Sequence, residues 1–175
     1  DPLRGIEDIK NKIIVQASEN IFKDDPLRLL RAFRLSCELG FSISPKTLQN
    51  ITRNSALIAA VSPERVTDEL FKILEADCGV IMSVDKHKLL EAIIPEIKNM
   101  KGVKQPGYHH LDVWGHSLET LNKLALQLDN LQKGRSALTD NKKILNWVCK
   151  AFFENSDAVR SRASLLKLAA VLHDI

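Results

Sequence analysis

Three times between residues 25 and 63 the chain carries the same helix-opening signal, a short acceptor side chain followed by proline, in Asp25-Pro26, Ser44-Pro45 and Ser62-Pro63. An aspartate or serine oxygen can accept an N–H that the first helical turn leaves unpaired, and proline at the first helical position has no N–H to lose. The pairs predict helices over 26–39, from 45 to about 54 and from 63 to about 76. Gly40 stands where a left-handed C-cap belongs, and Gly79 ends the third helix. With only 7 Gly and 6 Pro, and few alternating β-rich runs, the chain is expected to be all-α.

The remaining punctuation divides the chain. Residues 5–15 read as a linker with a helix and a brief extended piece over Lys12 to Val15. Leu74, Val80, Ile81, Leu89, Leu90, Ile93 and Ile94 supply core around two short helices, with Pro95 as a break. Two glycines and a proline between Lys101 and Gly107 mark a boundary, so two domains are expected, 1–100 and 101–175. Beyond it, Leu118, Leu121, Leu124 and Leu128 form the apolar stripe of a long helix from Leu111 to Leu128. A polar loop over 132–140 and helices over 144–153 and 158–173 complete the reading. The last should pack beside the long helix, Leu118 and Leu121 against Leu166 and Ala170.

Net charge is +3, compatible with RNA contact. Cys37, Cys78 and Cys149 are widely separated and form no metal-type pair, as expected of reduced thiols in a cytoplasmic protein. No apolar run is long enough to span a membrane, so no membrane partner is expected.

The chemistry-bearing stretch is Asp24-Asp25-Pro26-Leu27-Arg28-Leu29-Leu30-Arg31-Ala32-Phe33-Arg34. Arg28, Arg31 and Arg34 follow at three-residue steps and share a surface, with Asp25 one step before them. A carboxylate acceptor beside a guanidinium fork offers both hydrogen-bonding edges needed to read a planar nucleobase. The alternative is a capping aspartate with a solvated basic face. Arg65 and Glu69, four residues apart, can pair with each other as a plain surface salt bridge.

This stretch resembles the Glu/Asp-Asp-x-x-Arg motif of class II CCA-adding tRNA nucleotidyltransferases and bacterial poly(A) polymerases. Three further segments are similar to that family in the same order. Asp1-Pro2-Leu3-Arg4-Gly5-Ile6-Glu7-Asp8-Ile9 is similar to the segment joining the family's head and neck, with Arg4 where the pattern has its first glycine. Glu64-Arg65-Val66 with Glu69-Leu70 resembles the neck motif Glu-Arg-x-x-x-Glu-Leu. Gln105 to His116 resembles the entry to an HD-type body domain.

The resemblance implies a neck helix bundle over 1–100 and the start of an HD-like helical body over 101–175. It implies an enzyme that adds CCA or A residues to the 3′ ends of tRNA or other RNA, using ATP and CTP. Asp25 and Arg28 would select the nucleotide, while Arg31 and Arg34 would contact RNA phosphates. Arg65 or Glu69 would hold those arginines in place. Catalytic carboxylates and two Mg²⁺ ions belong to the family's head domain. No Gly-Gly/Ser-rich loop of that domain is present here, so the chain is expected to be a fragment, without catalytic residues or nucleotide-adding activity of its own.

His116 is placed like the first ligand, and His173-Asp174 like the doublet, of an HD-type divalent metal site whose last Asp would follow Ile175. Two other functions stay open: an HD-type metal-dependent phosphohydrolase, and a non-catalytic RNA-binding module. For His109, His110 and Asp112, capping and packing at a helix start suffice. Trp114 and Trp147 are expected to be core or surface-packing aromatics rather than base-stacking platforms.

Overall fold

The fold is that of a computed structural model, which describes residues 1–76, 79–104, 111–135, 142–153 and 160–175. Helices dominate the described residues, and the strands among them are two pieces of two residues each. By its contacts the chain divides into two compact units, Asp1–Glu96 and Ile97–Ile175. The division falls just after Pro95.

In the first unit, α1 (Gly5–Lys10) leads to β1 (Ile13–Ile14), which pairs in parallel with β2 (Ser42–Ile43) in the register Ile13 to Ser42 and Ile14 to Ile43. Between the strands lie α2 (Ile21–Asp24) and α3 (Arg28–Leu39). Arg4, at φ 57°, adopts the left-handed conformation that glycine accepts without strain, and the turn closes despite the substitution.

Helix α3 begins two residues later than the proline signal predicts. Asp25 precedes Pro26 and is extended, at φ −147° and ψ 98°, as the proline ring requires. The bonds from Arg28 N to Asp25 O, Leu29 N to Pro26 O and Leu30 N to Leu27 O then form a tight turn. The first bond of α-helical span runs from Arg31 N to Leu27 O. Asp25 is therefore a turn residue, its Oδ1 accepting from Leu27 N at 3.3 Å. Gly40 ends the helix at φ 65°, as expected.

The other two signals land where the sequence puts them. Helix α4 spans Pro45–Asn54, with the Ser44 hydroxyl accepting from Thr47 N at 3.2 Å. A 3₁₀ segment (Ser55–Ala60) leads to α5 (Pro63–Ala76). Helix α3 packs on α5, burying Leu29, Leu30 and Phe33 on one side and Val66, Ile73 and Leu74 on the other. Helices α6 (Val80–Lys86) and α7 (Leu89–Ile93) close the core with Ile81, Val84, Leu89 and Leu90. Gly79, at φ −59°, lies at the start of α6 in an ordinary conformation.

The second unit starts with α8 (Ile97–Met100) and the long α9 (Val113–Gln132). Asp112 caps α9, one carboxylate oxygen accepting from Gly115 N and the other from Gly102 N, both at 2.7 Å. These backbone donors, Gly102 first, hold its carboxyl below the usual carboxylate range. That is the structural role expected for Asp112; His109 and His110 lie outside the described residues. Helices α10 (Lys142–Phe153) and α11 (Arg162–Leu172) follow. Helix α11 begins later than expected because Ser161, whose hydroxyl accepts from Ser164 N, is its cap.

Helices α9 and α11 pack side by side. Leu118 and Leu121 are buried, as is Ala170, but Leu166 is exposed. The inward stripe of α11 runs through Ala163, Ser164, Ala170 and Val171. At about 100° per residue, Leu166 falls on the flank of that stripe rather than in it. Small residues on both helices, Ser117 on α9 and Ala163 and Ser164 on α11, are fully or almost fully buried. The two tryptophans part company: Trp114 is 3% exposed and Trp147 is 71% exposed. Trp147 is thus not a core aromatic. Cys37 and Cys149 form no disulfide, and Cys78 lies outside the described residues.

Candidate functional site

The first unit gathers three carboxylates, four arginines and a lysine where α3 crosses α5. Helix α3 turns its apolar residues inward, so Arg28, Arg31 and Arg34 run along the flank facing α5. On α5, Glu69 occupies a position of the apolar stripe, three residues after Val66 and four before Ile73. It is only 4% exposed. A buried carboxylate needs charged or hydrogen-bonding partners, and Glu69 has them. Arg34 Nε donates to its Oε2 at 2.7 Å, Arg31 Nε approaches Oε1 at 3.6 Å and Lys72 Nζ lies at 3.7 Å. Arg34 also donates through Nη1 to Glu38 at 2.6 Å.

Asp25 forms the outer end of the network. Its Oδ1 accepts from Leu27 N and from Arg65 Nη2 at 3.4 Å, reaching across from α5. Its Oδ2 faces Arg31 Nη1 at 3.4 Å and Arg28 Nε at 3.9 Å. Arg31 therefore bridges Asp25 and Glu69. Arg28 is held most weakly, by the long Asp25 contact and a 3.5 Å bond to the Ile21 carbonyl, and its side chain is 42% exposed. The outer part of the network thus presents a carboxylate fixed from two helices beside a loosely tethered guanidinium fork.

One expectation changes here. Arg65 and Glu69, read as a pair four residues apart, are engaged with other partners: Arg65 with Asp25, Glu69 with the α3 arginines. Arg34 is shared between Glu69 and Glu38. The position of Glu69 within an apolar stripe was the sequence signal for its burial.

In the second unit the structure brings together His116, in the first turns of α9, and His173 and Asp174, at the end of α11. One ligand-type atom from each lies within 4.8 Å of the others. The two imidazole rings are 5.5 Å apart, and His173 Nε2 is 3.3 Å from Asp174 Oδ2. His173 Nδ1 is 2.9 Å from the Ala170 carbonyl, which orients the ring with Nε2 toward the cluster.

The comparisons with known proteins agree with this architecture. Residues 40–101 match the family model described as the probable RNA and SrmB-binding site of polymerase A. The chain is 37% identical over 131 residues to the A-adding tRNA nucleotidyltransferase of Deinococcus radiodurans, covering 71% of this chain and 30% of that protein. It is 38% identical over 140 residues to the multifunctional CCA protein of Shewanella frigidimarina, covering 74% and 33%. A solved tRNA nucleotidyltransferase complexed with a primer tRNA and an incoming ATP analog shares the fold, with TM-score 0.61 and 20% identity over 98% of this chain and 41% of that one.

The all-helical fold, one unit followed by a second, resembles the neck and body region of CCA-adding enzymes. The chain belongs to the class II tRNA nucleotidyltransferase and bacterial poly(A) polymerase family. It spans about a third of the length of the curated relatives it matches. Among the described residues, no helix is long and apolar enough to cross a membrane.

Proposed function

We propose that this chain selects the incoming nucleotide, and helps bind the RNA, in an enzyme that adds C or A residues to RNA 3′ ends, tRNA foremost. The observation that carries the reading is the Asp25–Arg28 pair, with Asp25 held by Arg31 and Arg65 and the arginines of α3 backed by buried Glu69. Cytosine and adenine both present an exocyclic amine beside a ring-nitrogen acceptor. Uracil and guanine present a carbonyl and a ring N–H at the corresponding edge. An aspartate acceptor beside an arginine donor matches the first pattern and opposes the second. Both Asp25 oxygens already face donors, so an arriving amine competes with its loosest partner, Arg28. The guanidinium so released is free to donate to the ring nitrogen.

The bond-making chemistry, with its Mg²⁺ ions, is assigned to parts of the enzyme outside these residues. This chain's own contribution is to orient the base and reject the wrong edge. Arg31 serves the pocket by joining Asp25 to Glu69, and Arg34 serves it structurally. Exposed lysines and arginines of both units meet RNA phosphates.

The chain alone is expected to bind a tRNA transcript lacking its 3′ CCA, with affinity falling steeply between roughly 50 and 200 mM salt. With CTP, ATP and Mg²⁺ added, gel electrophoresis should show unchanged RNA length. Absence of RNA binding, or extension by the pure chain, overturns this division of labour.

A second reading, a metal-dependent phosphohydrolase, is favoured by the convergence of His116, His173 and Asp174. Two imidazoles and a carboxylate suit a divalent transition metal, which would polarise a phosphoryl oxygen or activate water. Three protein donors, two of them on exposed residues, leave a divalent cation under-coordinated. Metal analysis of dialysed protein is expected to find less than stoichiometric metal. Stoichiometric retention, lost in His116→Ala, would favour the hydrolase.

A further inference from the structure

We propose that the exposed face of α10 is a contact surface for an unpaired RNA base, with Trp147 as the stacking platform. The inference rests on the RNA-binding reading above but concerns a surface that base selection does not use.

Helix α10 turns Val148, Phe152 and Phe153 toward the Leu128–Leu131–Ala163 cluster, which accounts for its inward side. Trp147 is not on that side. At 71% exposure it is the most exposed of the chain's large apolar residues that the structure describes, and Ile144, one helical step before it, is 49% exposed. Leaving an indole in water forgoes the burial that normally retains a tryptophan. Its own helix is cationic: residues 142–153 contain three lysines and no acidic residue, with Asp140 and Glu154 just beyond them in the sequence, and Lys143 and Lys150, four before and three after Trp147, are both exposed. At that spacing the lysines bracket the indole on one face of the helix.

An aromatic plane flanked by cations is complementary to nucleic acid: the ring stacks on a base and the ammonium groups meet the adjoining phosphates. Stacking needs a base whose face is open, which a continuous duplex does not offer and the loops and ends of a folded RNA do. The partner is therefore an RNA with unpaired bases, and the lysines add a salt-dependent component to its binding.

The chain carries its own reporter, because its two tryptophans differ so strongly in exposure. Trp114, at 3%, is shielded from iodide, so quenchable emission comes from Trp147. Titration with a tRNA transcript lacking its CCA end is expected to lower that emission and protect it from iodide. A blunt, fully paired RNA of similar length should do neither. Trp147→Ala should weaken tRNA binding about tenfold, within the range for loss of one stacked base, while Trp147→Phe retains part of it. Because the side chain is exposed, the thermal midpoint should be unchanged.

Wild-type affinity in Trp147→Ala, with tRNA still bound, overturns the inference and leaves the RNA-binding reading standing. No RNA binding by the wild-type chain overturns both. Concentration-dependent dimerisation in sedimentation, abolished by Trp147→Ala while RNA affinity is kept, would identify the face as a contact between copies.

Discussion

Replacing Glu69 with Ala is expected to lower the unfolding free energy by about 3 kcal/mol, the near end of the range for breaking a buried ion pair. The carboxylate is 4% exposed and faces Arg31, Arg34 and Lys72. Its removal leaves Arg34, 20% exposed, with Glu38 alone. Arg31 can turn partly to water because 40% of its side chain is already exposed, which keeps the loss from being larger. Urea unfolding followed by circular dichroism measures the change. Glu69→Gln should cost less, since one amide oxygen can still accept from Arg34. A loss below about 1 kcal/mol for Glu69→Ala, the scale of a surface pair, would show that the network is not what anchors α3 to α5.

The second large effect is on nucleotide choice. In the full-length enzyme containing these residues, Arg28→Ala should collapse the preference for CTP and ATP over UTP and GTP. A charge-assisted hydrogen bond contributes about 1.5–3 kcal/mol, or roughly 10- to 150-fold in kcat/KM ratio. Folding should be nearly untouched, because alanine is the best helix former and Arg28 makes only the two long contacts. Asp25→Ala is a less clean probe. It also removes the acceptor for Leu27 N, Arg31 and Arg65, so selection and local stability fall together. Undiminished discrimination in Arg28→Ala would reduce the arginine row to a solvated face.

Much of the fold is local, and that part was legible. Ser44-Pro45 and Ser62-Pro63 open helices where expected, because a cap and a proline act within one turn of chain. Gly40 ends α3 for a reason equally local, its freedom to adopt positive φ. Helix α3 starts two residues after the expected position because the turn at Pro26 is closed by bonds of three-residue span, from Arg28 N to Asp25 O and Leu29 N to Pro26 O, before α-helical bonding begins. Leu166 lies on the flank of α11 rather than in its inward stripe. Hydrophobicity in a short helix does not say which side a neighbour will cover, and that depends on the small residues that let α9 and α11 meet.

The candidate site divides the same way. Sequence alone named Asp25 and Arg28 as neighbours, and His116, His173 and Asp174 as possible ligands; the turn at Pro26, not a helical step, is what sets Asp25 beside Arg28. Only the tertiary structure decided how the charges pair. Arg65 and Glu69 are neighbours on α5, yet one reaches Asp25 and the other takes Arg31 and Arg34, because α3 lies against α5 and brings guanidinium groups closer to each carboxylate than helical spacing offers. Burial settles the hierarchy: Glu69, inside the packed seam, must be neutralised by several cations, whereas Asp25 and Arg28, at its more exposed edge, keep looser contacts.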